Sequence, residues 1–137
     1  MVTDQAGRKA DTTFAWQVSK VLGVTFENTD PIAIPDRGDA VSSPIGVTGI
    51  KGNGPSELKV AVDITHTWRG DLTIDLVAPS GTVHHLLARE AGNSADNVKE
   101  TFTVNAFTET ANGTWTLKVQ DNASFDVGTL NSWKLTF

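Results

Sequence analysis

Residues 24–137 are expected to form one all-β domain, a two-layer antiparallel sandwich of jelly-roll type with about eight strands. Three observations predict it. Apolar and polar side chains alternate at period two through most of the segment, turn formers recur at intervals of roughly 8–12 residues, and the run Asp63-Ile-Thr-His-Thr-Trp-Arg-Gly-Asp-Leu72 passes from strand through polar turn into strand with its apolar residues on one face. With 137 residues the chain is long enough for a single domain with a real core.

Strands are expected near residues 32–35, 44–51, 57–65, 72–78, 82–89, 99–105, 114–120 and 130–137, each bounded by Gly, Pro, Asn, Asp or Ser. Successive strand residues point to opposite faces, so alternation also names the core. Leu58, Val60, Val62 and Ile64 share one face of the third strand, and Leu72, Ile74 and Leu76 share one face of the fourth. Trp115, Leu117 and Val119 form the next inward set, and Trp133, Leu135 and Phe137 the last. Ahead of these strands, residues 1–23 are expected to be a linker, a remnant or a short helix. Phe14, Val18, Val21 and Leu22 lie at helical spacing, with Asp11 or Thr12 placed to cap and Gly23 to stop.

Composition narrows the function classes. Eleven Lys and Arg against 16 Asp and Glu leave a net charge of −5, which argues against nucleic acid or an anionic membrane as the main partner. There is no cysteine, so neither a disulfide framework nor a thiolate metal site can be built. No apolar run approaches the roughly 20 residues of a spanning helix, and residues 1–23 lack the continuous apolar stretch of a signal peptide.

If neighbouring strands are antiparallel, every second connection lies at the same end of the sandwich. One end then collects loops 36–43, 66–71, 90–98 and 121–128, with Asp36, Asp39, Asp71, Glu90, Asp96, Asp121 and Asp126. The other end collects loops 52–56, 79–81 and 106–113, whose one carboxylate is Glu109. Carboxylates crowded in this way repel one another unless a cation sits among them, and Arg37, Arg69 and Arg89 are the obvious basic neighbours. Calcium takes six to eight oxygens from flexible loops, so Asp36, Asp39, Asp71, Asp121 and Asp126 are its candidate ligands. The competing reading is that these aspartates cap turns. The stretch Asp121-Asn-Ala-Ser-Phe-Asp126 lacks the ligand order and glycine of an EF-hand loop.

Catalytic constellations are weak. His84 and His85 are adjacent in a strand and face opposite ways, so they cannot chelate one ion together. Ser80 lies in Pro79-Ser-Gly81, which reads as a turn and not as a nucleophile elbow, and it sits at the end opposite His66. Arg69-Gly-Asp71, a tripeptide some adhesion receptors bind, reads as a tight turn between two strands. Trp68 is the aromatic expected to be exposed, either stacking on a ligand or covering the end of the core. Asn112-Gly-Thr114 and Asn122-Ala-Ser124 are glycosylation sequons only in a host that modifies secreted proteins.

These blocks, taken in order, resemble the P domain (Homo B domain) of kexin- and furin-like proprotein convertases and of bacterial secreted proteases. The resemblance covers residues 26–137 through Ile34-Pro-Asp36, the run 63–72, Pro79-Ser-Gly-Thr82, Leu86 to Arg89, Gly113-Thr-Trp-Thr-Leu117, Val119-Gln-Asp121 and Gly128-Thr-Leu-Asn-Ser-Trp133. It implies a jelly-roll sandwich like galactose-binding domains, with no active site of its own, carried outside the cell. It also implies a catalytic domain of serine- or metallo-protease type in the same parent chain. On that domain it would act as a stabiliser and as a modulator of activation or of a protein substrate or inhibitor. The compact loops and missing cysteine look more like the bacterial members, and calcium gains weight. An excised domain of this kind is expected to be monomeric. The strongest competitor is a carbohydrate- or polymer-binding jelly roll, which would need several aromatics exposed in a row.

Overall fold

The computed structural model describes residues 24–137, so the helix expected within residues 11–23 lies outside the described residues. In chain order the strands are β1 (Thr25–Asn28), β2 (Ile32–Ile34), β3 (Val41–Val47), β4 (Leu58–His66), β5 (Leu72–Val77), β6 (Val83–Leu87), β7 (Val98–Val104), β8 (Gly113–Asp121) and β9 (Gly128–Thr136). One sheet has the order β3-β8-β5-β6, and the other has β1-β9-β4-β7 with β2 also on β9. Every pairing is antiparallel. From β3 onward only the β5–β6 hairpin stays within its sheet; every other connection crosses between layers. The all-β sandwich is as predicted.

The inward sets form one core. Leu58, Val60, Ile64, Leu72, Ile74, Leu76, Trp115, Leu117, Val119 and Leu135 are fully buried, and Val62 and Trp133 nearly so. Alternation produces this because a strand with one face on the core and one on water buries every second side chain. Each buried indole also needs a partner for its N–H. Trp133 Nε1 donates to Ser43 Oγ across the two sheets at 2.9 Å, and Trp115 Nε1 donates to the Ala111 carbonyl at 2.9 Å.

Two features depart from the expected strand list. Among the described residues there are nine strands instead of eight, the addition being β1, which pairs residues 25–28 with residues 133–136 of β9. Its one core anchor is Phe26, whose ring meets Phe137 edge-on at 5.8 Å, and a single half-buried aromatic is too little for a periodicity signal. The strand expected at 44–51 instead spans Val41–Val47, with Pro44 in its middle opposite Thr116. The proline is tolerated because β3 is an edge strand, where no further strand asks for its missing N–H.

A bulge in β9 between Leu130 and Ser132 lets Leu130 and Trp133, three residues apart, both point inward. Asn131 is the extra residue, and its amide donates to Asp63 Oδ1 and Thr65 Oγ1. On the other side of β9 the chain breaks between β1 and β2, where Asn28 accepts from the Asp30 N–H and donates to the Pro44 carbonyl.

The strand-parity sorting of the loops agrees with the hydrogen bonds. At one end Arg69 N donates to Ala95 O, Glu90 N to Gly70 O, Asn97 N to His66 O and Asn122 N to Asp71 O. At the other end Gly54 N donates to Glu109 O, Ala106 N to Pro55 O and Ala111 N to Gly52 O.

Candidate functional site

The acidic end is organised around His66, the last residue of β4, and Asp121, the last residue of β8, both with wholly buried side chains. His66 Nδ1 accepts from the Trp68 N–H at 3.0 Å, which assigns the ring proton to Nε2, and Nε2–H donates to Asp121 Oδ2 at 3.0 Å. Asp121 Oδ1 accepts from Ala123 N. Close approach is needed here: a Cβ on Gly128 would stand 2.4 Å from Thr65 O and 2.6 Å from His66 Cδ2. The pair therefore joins the two sheets and the 121–128 loop.

Arg69-Gly-Asp71 forms a 3-10 turn in which Gly70 and Asp71 are buried, so the tripeptide is not presented for recognition. Arg69 pairs with Glu100 across to β7. A Cβ on Gly70 would lie 2.0 Å from Glu90 O, which is why glycine stands there.

Asp71 is the unusual group. It is 5% exposed, and among the described residues no hydrogen bond reaches its carboxylate oxygens. Burial first, and then the charges of Asp121 and Asp126, push its carboxyl above the usual aspartate range, while Arg89 and His66 oppose the shift. It lines an open groove with Trp68, Arg89, Ala123, Phe125 and Asp126. Of the other calcium candidates, Asp126 accepts from Thr67 Oγ1 and Asp36 accepts from the Phe125 N–H. Asp121 has both oxygens engaged as above, and Asp39 is exposed on the β2–β3 connection that also carries Asp36. Among the described residues no three His, Asp or Glu side chains converge in metal-binding geometry. Asp71, a buried carboxylate without a donor, shares the groove with Asp126.

The opposite end holds a cluster that sequence reasoning missed. Glu109, buried, accepts from Ser80 Oγ at 2.7 Å and pairs with His84 Nε2 at 2.9 Å. The Ser80 hydroxyl above all, with the His84 ring and the Thr82 hydroxyl, holds Glu109 below the usual glutamate range against the opposing effect of burial. Serine and imidazole bind the same carboxylate and not each other, so this is no nucleophile–base pair. His85 turns away and meets Asp75 at 2.7 Å. No local pattern links Ser80, His84 and Glu109, since the loop carrying Glu109 comes 25 residues after His84.

Trp68 is half-buried, its indole N–H donating to Ala91 O. The most exposed aromatic among the described residues is Phe125, at 96%, with Phe107 next at 65%. Sequence reasoning passed over Phe125 because one apolar residue in a polar loop carries no pattern.

The proprotein convertase P-domain family matches residues 55–137 of this chain. The chain belongs to that family. The P domain is also 57% identical over 137 residues to the transglutaminase-activating metalloprotease of Streptomyces mobaraensis, covering 99% of the chain and 18% of that protein. It is 39% identical over 89 residues to a calcium-dependent protease of Trichormus variabilis, covering 58% of the chain and 13% of that protein. In fold it matches the serine protease of Aeromonas sobria, solved with its chaperone, at a TM-score of 0.63 and 23% identity, over 84% of this chain and 27% of that one. The P domain thus spans less than a third of each of these proteases. Among the described residues, no helix is long and apolar enough to cross a membrane.

Proposed function

We propose that this chain is the non-catalytic P domain of a secreted protease, of serine or metallo type, and that from about residue 24 it stabilises the catalytic domain of the same parent chain and tunes its activation or substrate handling. The observation that carries the reading is family membership of a domain that makes up a small fraction of its protease relatives. Consistent with it, the inward aromatics are consumed by the core, and the serine and histidine at the Glu109 end share a carboxylate. A partner that binds only the folded domain shifts both folding equilibria by mass action. Deleting residues 24–137 from the parent protease is expected to lower its thermal midpoint and yield. An unchanged half-life of the truncated enzyme at elevated temperature would refute the reading.

The acidic end holds calcium in this proposal, with Asp71 and Asp126 as principal ligands and Asp121, Asp36 and Asp39 around them. Its support is the buried Asp71 carboxylate without a donor and the calcium-dependent protease among the relatives. Ca²⁺ would supply there the charge that offsets three neighbouring carboxylates. Calorimetric titration of the chelated domain with calcium tests this: the expected result is heat and a thermal shift, both lost in Asp71→Asn. No heat at millimolar calcium would remove the cation.

A further inference from the structure

We propose that the apolar knuckle of Phe125 and Val127, with the Trp68 groove beside it, is the face by which this P domain docks on its parent catalytic domain, onto an apolar socket edged by basic side chains. The inference rests on the function proposed above and says where that function is exercised.

Phe125 and Val127 are 96% and 67% exposed, the two most exposed large hydrophobic residues among those described. Their loop is held on both sides. Asp121 is tied to His66, Asn122 to Asp71 O and Thr73, and Asp126 to Thr67. The Phe125 N–H is bound by Asp36 from the β2–β3 connection. Phe125 itself lies at φ 85°, a left-handed conformation that a bulky side chain keeps only where its surroundings dictate it, and such conformations cluster at functional positions. The fold thus holds an aromatic ring out in water on an anchored loop. A loop whose backbone is already fixed loses little freedom on binding.

Charge complementarity names the partner. The groove next to the ring is lined by Trp68, Ala91 and Ala123 with Asp71, Asp126 and Arg89, and Asp36 stands at the base of the knuckle. A calcium ion among these carboxylates balances most of their local charge, but the chain as a whole stays negative, at −5 before the ion binds, which rejects an acidic surface and selects a basic one. Phe107 and Val83, the other exposed large hydrophobics among the described residues, belong to the opposite end of the sandwich and serve as controls.

The test uses the whole parent protease with Phe125→Asp, Val127→Asp and Phe107→Asp, beside a deletion of residues 24–137. Phe125→Ser, which adds no carboxylate to the groove of Asp71 and Asp126, is made beside Phe125→Asp, so that loss of the ring is told apart from added charge and a folded variant is at hand if the aspartate one fails to fold. The isolated domain variants should melt as wild type, while Phe125→Asp and Val127→Asp shorten the half-life of parent activity about tenfold, the scale of losing an interface anchor, and Phe107→Asp leaves it unchanged. If the deletion shortens the half-life and the knuckle variants do not, the docking face is wrong and the stabilising role stands. If the deletion has no effect, both fall. Conversion of the isolated domain from dimer to monomer by Phe125→Asp would assign the face to self-association and overturn the proposal.

Discussion

Replacing His66 with alanine strips Asp121 of its Nε2–H donor in a place that water does not reach, and deprives the Trp68 N–H of its acceptor. Both side chains are wholly buried, so the carboxylate that remains retains one hydrogen bond, from Ala123 N. Stripping a buried carboxylate of a donor costs about 3 kcal/mol, well above the roughly 1 kcal/mol of an ordinary hydrogen bond, because the survivor stays desolvated and one donor short. For a domain of this size, about 4 °C of midpoint corresponds to 1 kcal/mol, so the expected fall is roughly 12 °C. Thermal melts of wild type and His66→Ala by near-ultraviolet circular dichroism, which reports the packed Trp115 and Trp133, measure it directly. The double variant His66→Leu with Asp121→Leu should recover part of the loss, since paired apolar replacement removes the orphaned charge. A His66→Ala shift below about 4 °C would refute the reasoning, as the pair would then contribute no more than a surface contact.

Ser43→Ala leaves the buried Trp133 indole N–H without a partner and should cost about 1–3 kcal/mol, read as a lower denaturant midpoint at unchanged slope. Gly70→Ala forces a Cβ against the Glu90 carbonyl and should destabilise by about 1–3 kcal/mol, visible as faster hydrogen exchange in loop 90–97. The two shifted carboxyls act in opposite directions with pH. Glu109 titrates lower in the folded domain than in the unfolded chain, so its contribution is present above the usual glutamate range and lost as pH falls through the lowered folded value. Ser80→Ala should therefore flatten the acid limb of stability against pH. Asp71 titrates higher when folded, so it holds its proton more tightly there, and stability is lost as pH rises from the usual aspartate range through the raised folded value. Asp71→Asn should raise the midpoint of the metal-free domain at neutral pH, and no rise there would contradict the raised value.

Part of the carboxylate end was legible before any coordinates. Parity of antiparallel strands is a counting argument, and it placed loops 66–71, 90–98 and 121–128 together without reference to side-chain contacts. Counting could not say which carboxylates face each other. Asp121 reads like any turn aspartate, yet it is consumed by His66, whereas Asp71, in a buried turn, is left without a donor. The Glu109 cluster was invisible for a related reason: Ser80, His84 and Glu109 meet because a hairpin and a later loop arrive at the same end.

By itself the amino-acid order determined the sandwich, the inward face of its long strands and the family, because period-two burial and turn chemistry are local properties that any short window displays. Tertiary structure alone decided the Leu130–Trp133 register, the ninth strand, the pairing of each histidine with its carboxylate and the outward ring of Phe125. Each of these depends on the distance between residues far apart in the chain, and that distance exists only once the two sheets have packed.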